Sequence, residues 1–232
     1  MEIRAEALDQ LAGLFDRYEE LRKCSRDIER ALELMVEAFS RDNAVLIAGN
    51  GGSAADAAHI VGELMKRFVL PRPISADIRS RISASSAPEA LRSRMLSKLE
   101  MPLRAVNLSH EDSLSTAFAN DADPELVIAQ KLLGFGRSDD VFLGISTSGN
   151  SRNIVSGAYL ARSLGIHVIA LTGRAGGALK NTADVTIAVP ADSTAEVQEY
   201  HLPVYHALCA AAEAHFFPLD HGSSQHKSNP TK

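Results

Sequence analysis

Four times along this chain a short apolar run stops abruptly at a turn rich in glycine or hydroxyl residues. AVLIA (Ala44–Ala48) ends in GNGGS, DVFLGI (Asp140–Ile145) in STSGNS, HVIAL (His167–Leu171) in TGRAGG, and VTIAV (Val185–Val189) in PADST. A further strand is expected at Ala105–Leu108, leading into LSHEDS. Helix-like stretches follow GNGGS near Ala54, STSGNS through Ile154, Ala158, Leu160 and Ala161, and PADST through Leu208. Continuous apolar runs alternating with helices indicate parallel strands buried on both faces, an α/β fold. Ligands of such sheets sit beyond the carboxyl ends of the strands, where these polar turns lie.

Before the first strand, residues 5–40 read as helix. Leu8, Leu11, Leu14, Phe15, Tyr18 and Leu21 fall three or four apart, and Ile28, Ala31, Leu32, Leu34, Met35 and Phe39 continue the stripe. Such a stripe must be covered, and a partner subunit is a fair candidate. Residues 74–101 are polar, then helix-like after Pro88, with Leu91, Met95 and Leu99 four apart. From about Leu219 the chain is polar and reads as a disordered tail, 219–232; its His221 and His226 fit a solvated tail better than a metal site.

Bulk composition closes off several classes. A net charge of −5 and a pI near 5.9 argue against a general nucleic-acid binder. No stretch approaches the apolar length of a membrane span, and the acid-rich amphipathic N-terminus is unlike a cleavable signal. Cys24 and Cys209 lack any CxxC spacing and read as buried free thiols of a reducing compartment. The expectation is a cytoplasmic, soluble protein with neither nucleic acid nor membrane as partner.

Two turns could hold an anion. GNGGS (Gly49–Ser53) lets backbone approach a ligand and adds the Ser53 hydroxyl at a helix start, although a glycine turn after a strand is often only a tight connection. STSGNS offers four hydroxyls in six residues, Ser146, Thr147, Ser148 and Ser151. Simple N-capping by Ser148 or Ser151 needs fewer, so a phosphate site is favoured. Neither turn is GxGxxG or a P-loop, so the anion is the phosphate of a small molecule rather than a dinucleotide or ATP.

Groups able to move protons stand on the flanking helices. His59 and Glu63, four apart, share a helix face, and Gln198 and His206, eight apart, lie about two turns apart on another. A glutamate with a histidine opposite can take a proton from one carbon and return it to the next. The same four could hold a divalent metal such as zinc. Spacing alone favours quieter roles: Glu63 pairing with Lys66 or Arg67, His206 as a core histidine, Gln198 on the surface. Glu199, His201 and Tyr205 compete within the same segment, and spacing does not choose among them.

GNGGSAADAAHIVGEL and GISTSGNSRNIVSGAYLARSLGIHVIALTGRAGG resemble the two signatures of phosphoheptose isomerases, members of the sugar-isomerase (SIS) family, and QEYHLPVYH resembles their closing motif. The similarity runs from about residue 5 to 216, except for 74–101. It implies one SIS domain over 1–218, a three-layer α/β/α sandwich with a five-stranded parallel sheet and its N-terminal helices in the oligomer interface. It also implies a homotetramer with sites between subunits, and conversion of sedoheptulose 7-phosphate to D-glycero-D-manno-heptose 7-phosphate for lipopolysaccharide or other surface glycans. On the motif positions, Glu63 falls on the general base and His206 on the general acid. His59, Glu63, Gln198 and His206 fall on the ligands of one zinc ion seen in some members. Gly51, Gly52, Ser53, Ser146, Thr147, Ser148 and Ser151 fall around the phosphate, Asn50 on a sugar contact, and Asp121 (AFANDAD) on the acidic residue of a central motif. Residues 74–101 depart from the family, which passes from the RF…RP segment almost directly to the next strand. Between Arg72 and Arg104 this chain carries seven basic and three acidic residues, as a surface excursion, a lid, a second phosphate clamp or a partner surface. Other isomerases and non-catalytic sensors or partner-binding factors share the fold; the presence of both Glu63 and His206 favours an enzyme.

Overall fold

The computed structural model of the chain describes residues 2–110 and 112–219, so the expected tail from 220 onward, with His221 and His226, lies outside the described residues. Five strands form one parallel sheet: β1 (Val45–Ala48), β2 (Ala105–Asn107), β3 (Val141–Ser146), β4 (His167–Thr172) and β5 (Val185–Ala188), in the order β2-β1-β3-β4-β5. Each falls within a residue or two of an apolar run. In register, Leu46 pairs with Phe142 and Phe142 with Val168.

Alternation of side chains along each strand divides the interior into two clusters. Val45, Ile47, Leu143, Ile169 and Leu171 face one side, covered by α1 (Ala5–Arg17), α2 (Ser25–Ser40), α3 (Gly52–Met65) and α9 (Thr194–Phe216). Leu46, Ala48, Phe142, Val168 and Ala170 face the other, covered by α7 (Val127–Phe135) and α8 (Arg152–Ser163). The result is helix, sheet, helix. Among the described residues no helix is long and apolar enough to cross a membrane.

The N-terminal stripe is interrupted. Tyr18 leaves helical geometry (φ −133°, ψ 78°), and a 3₁₀ stretch over Glu19–Cys24 tucks Leu21 and Cys24 inward before α2 resumes. Part of the stripe is covered within the chain, since Leu11, Leu14, Phe15 and Leu21 are buried and α1 packs along α9, while Leu8 and Tyr18 stay exposed. Cys24 and Cys209 are buried free thiols, and burial pushes the Cys24 pKa up to about 11.

The segment 74–101 forms α4 (Ala76–Ser83), opened by a Ser75 cap, and α5 (Glu89–Lys98), neither of which buries a residue. The helix after Pro88 was expected; α4 was not, since its sequence carries no apolar period. An antiparallel bridge between Pro73 and Glu100 closes the excursion at its base.

Candidate active site

The chain reverses direction across the sheet at β1. After β1 it moves to β2 on one side, then returns past β1 to β3 on the other, leaving a crevice at the carboxyl ends of β1 and β3. GNGGS and STSGNS form the two lips of that crevice.

Gly51 has φ +54°, a conformation that strains any side chain. Gly52 opens α3 with its backbone against α9: a Cβ there would lie 2.4 Å from Gln198 Nε2. Across the crevice, Asn50 and Asn153 exchange two amide hydrogen bonds of 2.9 Å, fastening one lip to the other. In the second turn, the hydroxyls of buried Ser146 and half-buried Ser151 are 3.0 Å apart, and Asn150 N–H donates to Ser148 Oγ at 3.2 Å.

Capping explains little of this. Ser151 occupies the N-cap position of α8 yet makes no side-chain cap bond, and the N-cap of α3 is Gly51, which has no side chain to make one. α4, α6 (Ser113–Asp121) and α9 are capped by Ser75, Asp112 and Ser193, whereas α1, α2, α5 and α7 also start without a side-chain cap. The two helices that open on the crevice therefore present first-turn N–H groups without a side-chain partner, next to a cluster of hydroxyls. That arrangement suits a phosphate.

Beside the crevice α3 and α9 bring three of the proton-moving candidates together. His59 Nε2 stands 3.3 Å from Glu63 Oε1 and 3.5 Å from His206 Nε2. Glu63 Oε2 accepts from Lys66 Nζ at 2.9 Å, so this carboxylate does form the local pair that spacing allowed, while Arg67 turns instead to Glu100. His206 is half-buried, and its pKa is lowered, first by desolvation and then by His59, with Glu63 opposing. Phe68 covers it, with ring centroids 5.3 Å apart.

The competing residues separate. His201 is fully buried on the sheet side of α9; among the described residues neither ring nitrogen makes a well-formed hydrogen bond, and desolvation lowers its pKa to about 4, against the nearby Thr172 backbone. Glu199 is exposed. Asp121 lies exposed at the end of α6, accepting from Asn120 at 2.8 Å, and among the described residues no hydrogen bond joins it to the other candidates. Thr147 is half-buried at the end of β3, and Ser53 is buried in the first turn of α3.

Two supports carry no local sequence signal. Arg72 and Glu213 form a fully buried ion pair of 2.7 Å. The same guanidinium donates to the carbonyls of Leu64 (2.6 Å) and Glu63 (3.1 Å), acceptors that the end of α3 leaves open. Glu213 also accepts from the backbone N–H groups of Phe68, Val69 and Leu70 at 2.7–2.8 Å. One ion pair thus fixes the helix end that carries Glu63 to the helix that carries His206. The second support is the Tyr205 hydroxyl, 3.1 Å from His59 Nδ1 and 3.3 Å from Asp56 Oδ1.

Comparison with known proteins settles the family. The model of the SIS domain matches residues 8–101 and 90–173. The phosphoheptose isomerase of Akkermansia muciniphila is 35% identical over 209 residues, 90% of this chain and 96% of that protein. The chain belongs to the phosphoheptose isomerase family of SIS proteins. The Helicobacter pylori phosphoheptose isomerase is 35% identical over 82% of this chain and 84% of its own length. Among solved structures, phosphoheptose isomerase GmhA from Neisseria gonorrhoeae superposes with a TM-score of 0.67 at 32% identity, covering 88% of this chain and 94% of GmhA. The Francisella tularensis phosphoheptose isomerase gives 0.65 at 29% identity, covering 89% and 97%. Membership makes this chain an isomerase, and the crevice between β1 and β3 is its candidate active site.

Among the described residues no group of three or more His, Cys, Asp and Glu side chains stands ready-made as a metal site. The pairwise spacing is nonetheless suitable: two ligands about 2.0–2.1 Å from a tetrahedral zinc lie roughly 3.3 Å apart, close to the 3.3 and 3.5 Å that His59 Nε2 makes with Glu63 and His206. Two imidazoles, a carboxylate and the Gln198 amide fit the ion in type, and the two His59 pairs fit it in distance.

Proposed function

We propose that this isomerase converts sedoheptulose 7-phosphate to D-glycero-D-manno-heptose 7-phosphate, supplying a heptose for lipopolysaccharide or another surface glycan. The observation that carries the reading is the meeting of Glu63 and His206 around His59, beside two uncapped helix N-termini and a cluster of hydroxyls. Ser53, Ser146, Thr147, Ser148 and Ser151, with the backbone of Gly51 and Gly52, would hold the phosphate. Asn50, Gln198 and Asp121 would face the sugar.

The chemistry follows from the two side chains. Glu63 takes the C1 proton while the His206 N–H protonates the C2 carbonyl oxygen, giving a cis-enediol. Glu63 then returns its proton to C2 as His206 removes the proton of the C1 hydroxyl, leaving the aldehyde at C1. No proton is gained or lost overall. His59, Glu63, Gln198 and His206 would hold one zinc ion, which when bound supplies charge to polarise the C1 and C2 oxygens. A homotetramer in the cytoplasm, with sites between subunits, completes the proposal.

The test is incubation with sedoheptulose 7-phosphate in deuterated buffer, with and without added zinc, followed by NMR. Aldose formation with deuterium at C2 is the expected result. Binding of the phosphosugar without turnover would overturn the proposal.

A further inference from the structure

Tyr205 immediately precedes His206 on α9 and is 2% exposed. Its ring stands edge-on to both active-site imidazoles, with centroids 5.5 Å from His59 and 5.0 Å from His206. Its hydroxyl reaches His59 Nδ1 at 3.1 Å and Asp56 Oδ1 at 3.3 Å. A phenol has one proton to give, so it donates to one neighbour and accepts from the other.

The direction of this short chain follows from Asp56. Its Oδ2 is buried with no hydrogen-bond partner, and among the described residues Tyr205 is the donor that reaches Oδ1. If the phenol gave its proton to His59, the carboxylate would be left with no donor, a costly way to bury a polar group. The phenol therefore donates to Asp56, and its oxygen accepts from His59 Nδ1–H. A neutral imidazole protonated at Nδ1 carries a lone pair at Nε2. Here that lone pair faces Glu63 Oε1 at 3.3 Å. A lone pair so placed can accept from His206 Nε2, 3.5 Å away, and with the Glu63 carboxylate would suit a shared cation.

We infer that Tyr205, anchored by Asp56, is a positioning residue that fixes His59 with its proton on Nδ1 and turns its Nε2 lone pair toward Glu63 and His206. Its purpose rests on the metal-assisted isomerase reading, because a ligand histidine needs its outer nitrogen held by such a partner. Its geometry rests on the hydrogen bonds alone.

The experiment uses the full chain, isotope-labelled at the histidine nitrogens and stripped of metal, at a pH well above the ordinary histidine range. Two-bond proton–nitrogen correlations report the tautomer, and the His59 signals are those missing from His59→Gln. Wild type is expected to show His59 protonated at Nδ1. Tyr205→Phe keeps the ring and removes the hydroxyl; it is expected to release His59 into mixed tautomers. Zinc affinity, read by competition with a chromophoric chelator, should fall about 10–100-fold in that variant, and its thermal midpoint should drop because Asp56 loses its donor. A wild-type His59 protonated at Nε2 or at both nitrogens would overturn the inference, and so would an unchanged tautomer in Tyr205→Phe. If wild type takes up no zinc, the metal reading fails, while the tautomer still decides the role of Tyr205.

Discussion

The crevice turns and the α4–α5 hairpin branch from the same frame and are held in opposite ways. In the turns, polar groups answer one another at short range: Asn50 with Asn153, Ser109 with both backbone groups of Gly49, Ser146 with Ser151, and Asn150 with the N–H of Ala178. The hairpin buries nothing along α4 or α5, and Leu91 and Leu99 are 47% and 51% exposed. Among the described residues it is held at its base, where Pro73 bridges Glu100, Met101 N–H donates to the Arg72 carbonyl at 2.9 Å, and Glu100 pairs with Arg67. Because the buried Arg72–Glu213 pair lies at that base, the hairpin can vary without moving Glu63. A long excursion between clamped ends adds little loop-closure cost.

Breaking the clamp is the most severe way to blur this distinction. Arg72→Ala leaves Glu213 charged and buried without its partner, and should cost about 3–5 kcal/mol in denaturant unfolding. Activity should fall as well, since the Glu63 carbonyl loses its Arg72 donor and the Leu64 carbonyl keeps only that of Leu103. A loss under about 1 kcal/mol would show that the frame does not depend on the pair.

Acid stability probes the sheet side of α9. Folded His201 has its pKa lowered from 6.5 to about 4, so on acidification the unfolded chain binds a proton that the folded chain refuses. Stability is therefore lost as pH falls from about 6.5 toward 4, by up to roughly 3 kcal/mol. Unfolding curves across this window should show a smaller pH slope in His201→Leu than in wild type; equal slopes would remove His201 as the cause.

Smaller effects separate the turns from the hairpin. Ser148→Ala should weaken phosphosugar binding by about 1–3 kcal/mol, the worth of one charge-assisted hydrogen bond, with little change in stability. An unchanged KM and kcat would remove Ser148 from the phosphate site. Leu91→Ser on the exposed face of α5 should shift stability by no more than about 0.5 kcal/mol. A larger loss would mean that this face is covered in the native assembly.

Much of this molecule was legible before its structure, for reasons that differ by element. The strands were readable because each is a continuous apolar run stopped by glycine or serine, and Val45–Ala48 and His167–Thr172 follow AVLIA and HVIAL closely. The interruption at Tyr18 was not, because Leu21 and Cys24 keep a helix-like spacing while bending inward through a 3₁₀ stretch. His201 and His206 could not be ranked by spacing: five residues turn a helix through about 140°, and both faces of α9 are packed. The motif resemblance singled out His206, and the structure places it with His59 and Glu63. Arg72–Glu213 and Tyr205–Asp56 join residues 141 and 149 apart, a separation that no local pattern encodes.

The most direct test of the account compares wild type with Glu63→Gln on sedoheptulose 7-phosphate in deuterated buffer. The amide keeps the shape of the side chain and removes its basicity. Wild type should show deuterium at C2 and aldose formation. The variant should show retained phosphosugar binding, a loss of about 100-fold or more in turnover, and no exchange at C1. Near-normal turnover or C1 exchange in Glu63→Gln would contradict the account, and the base would have to be sought elsewhere in the crevice.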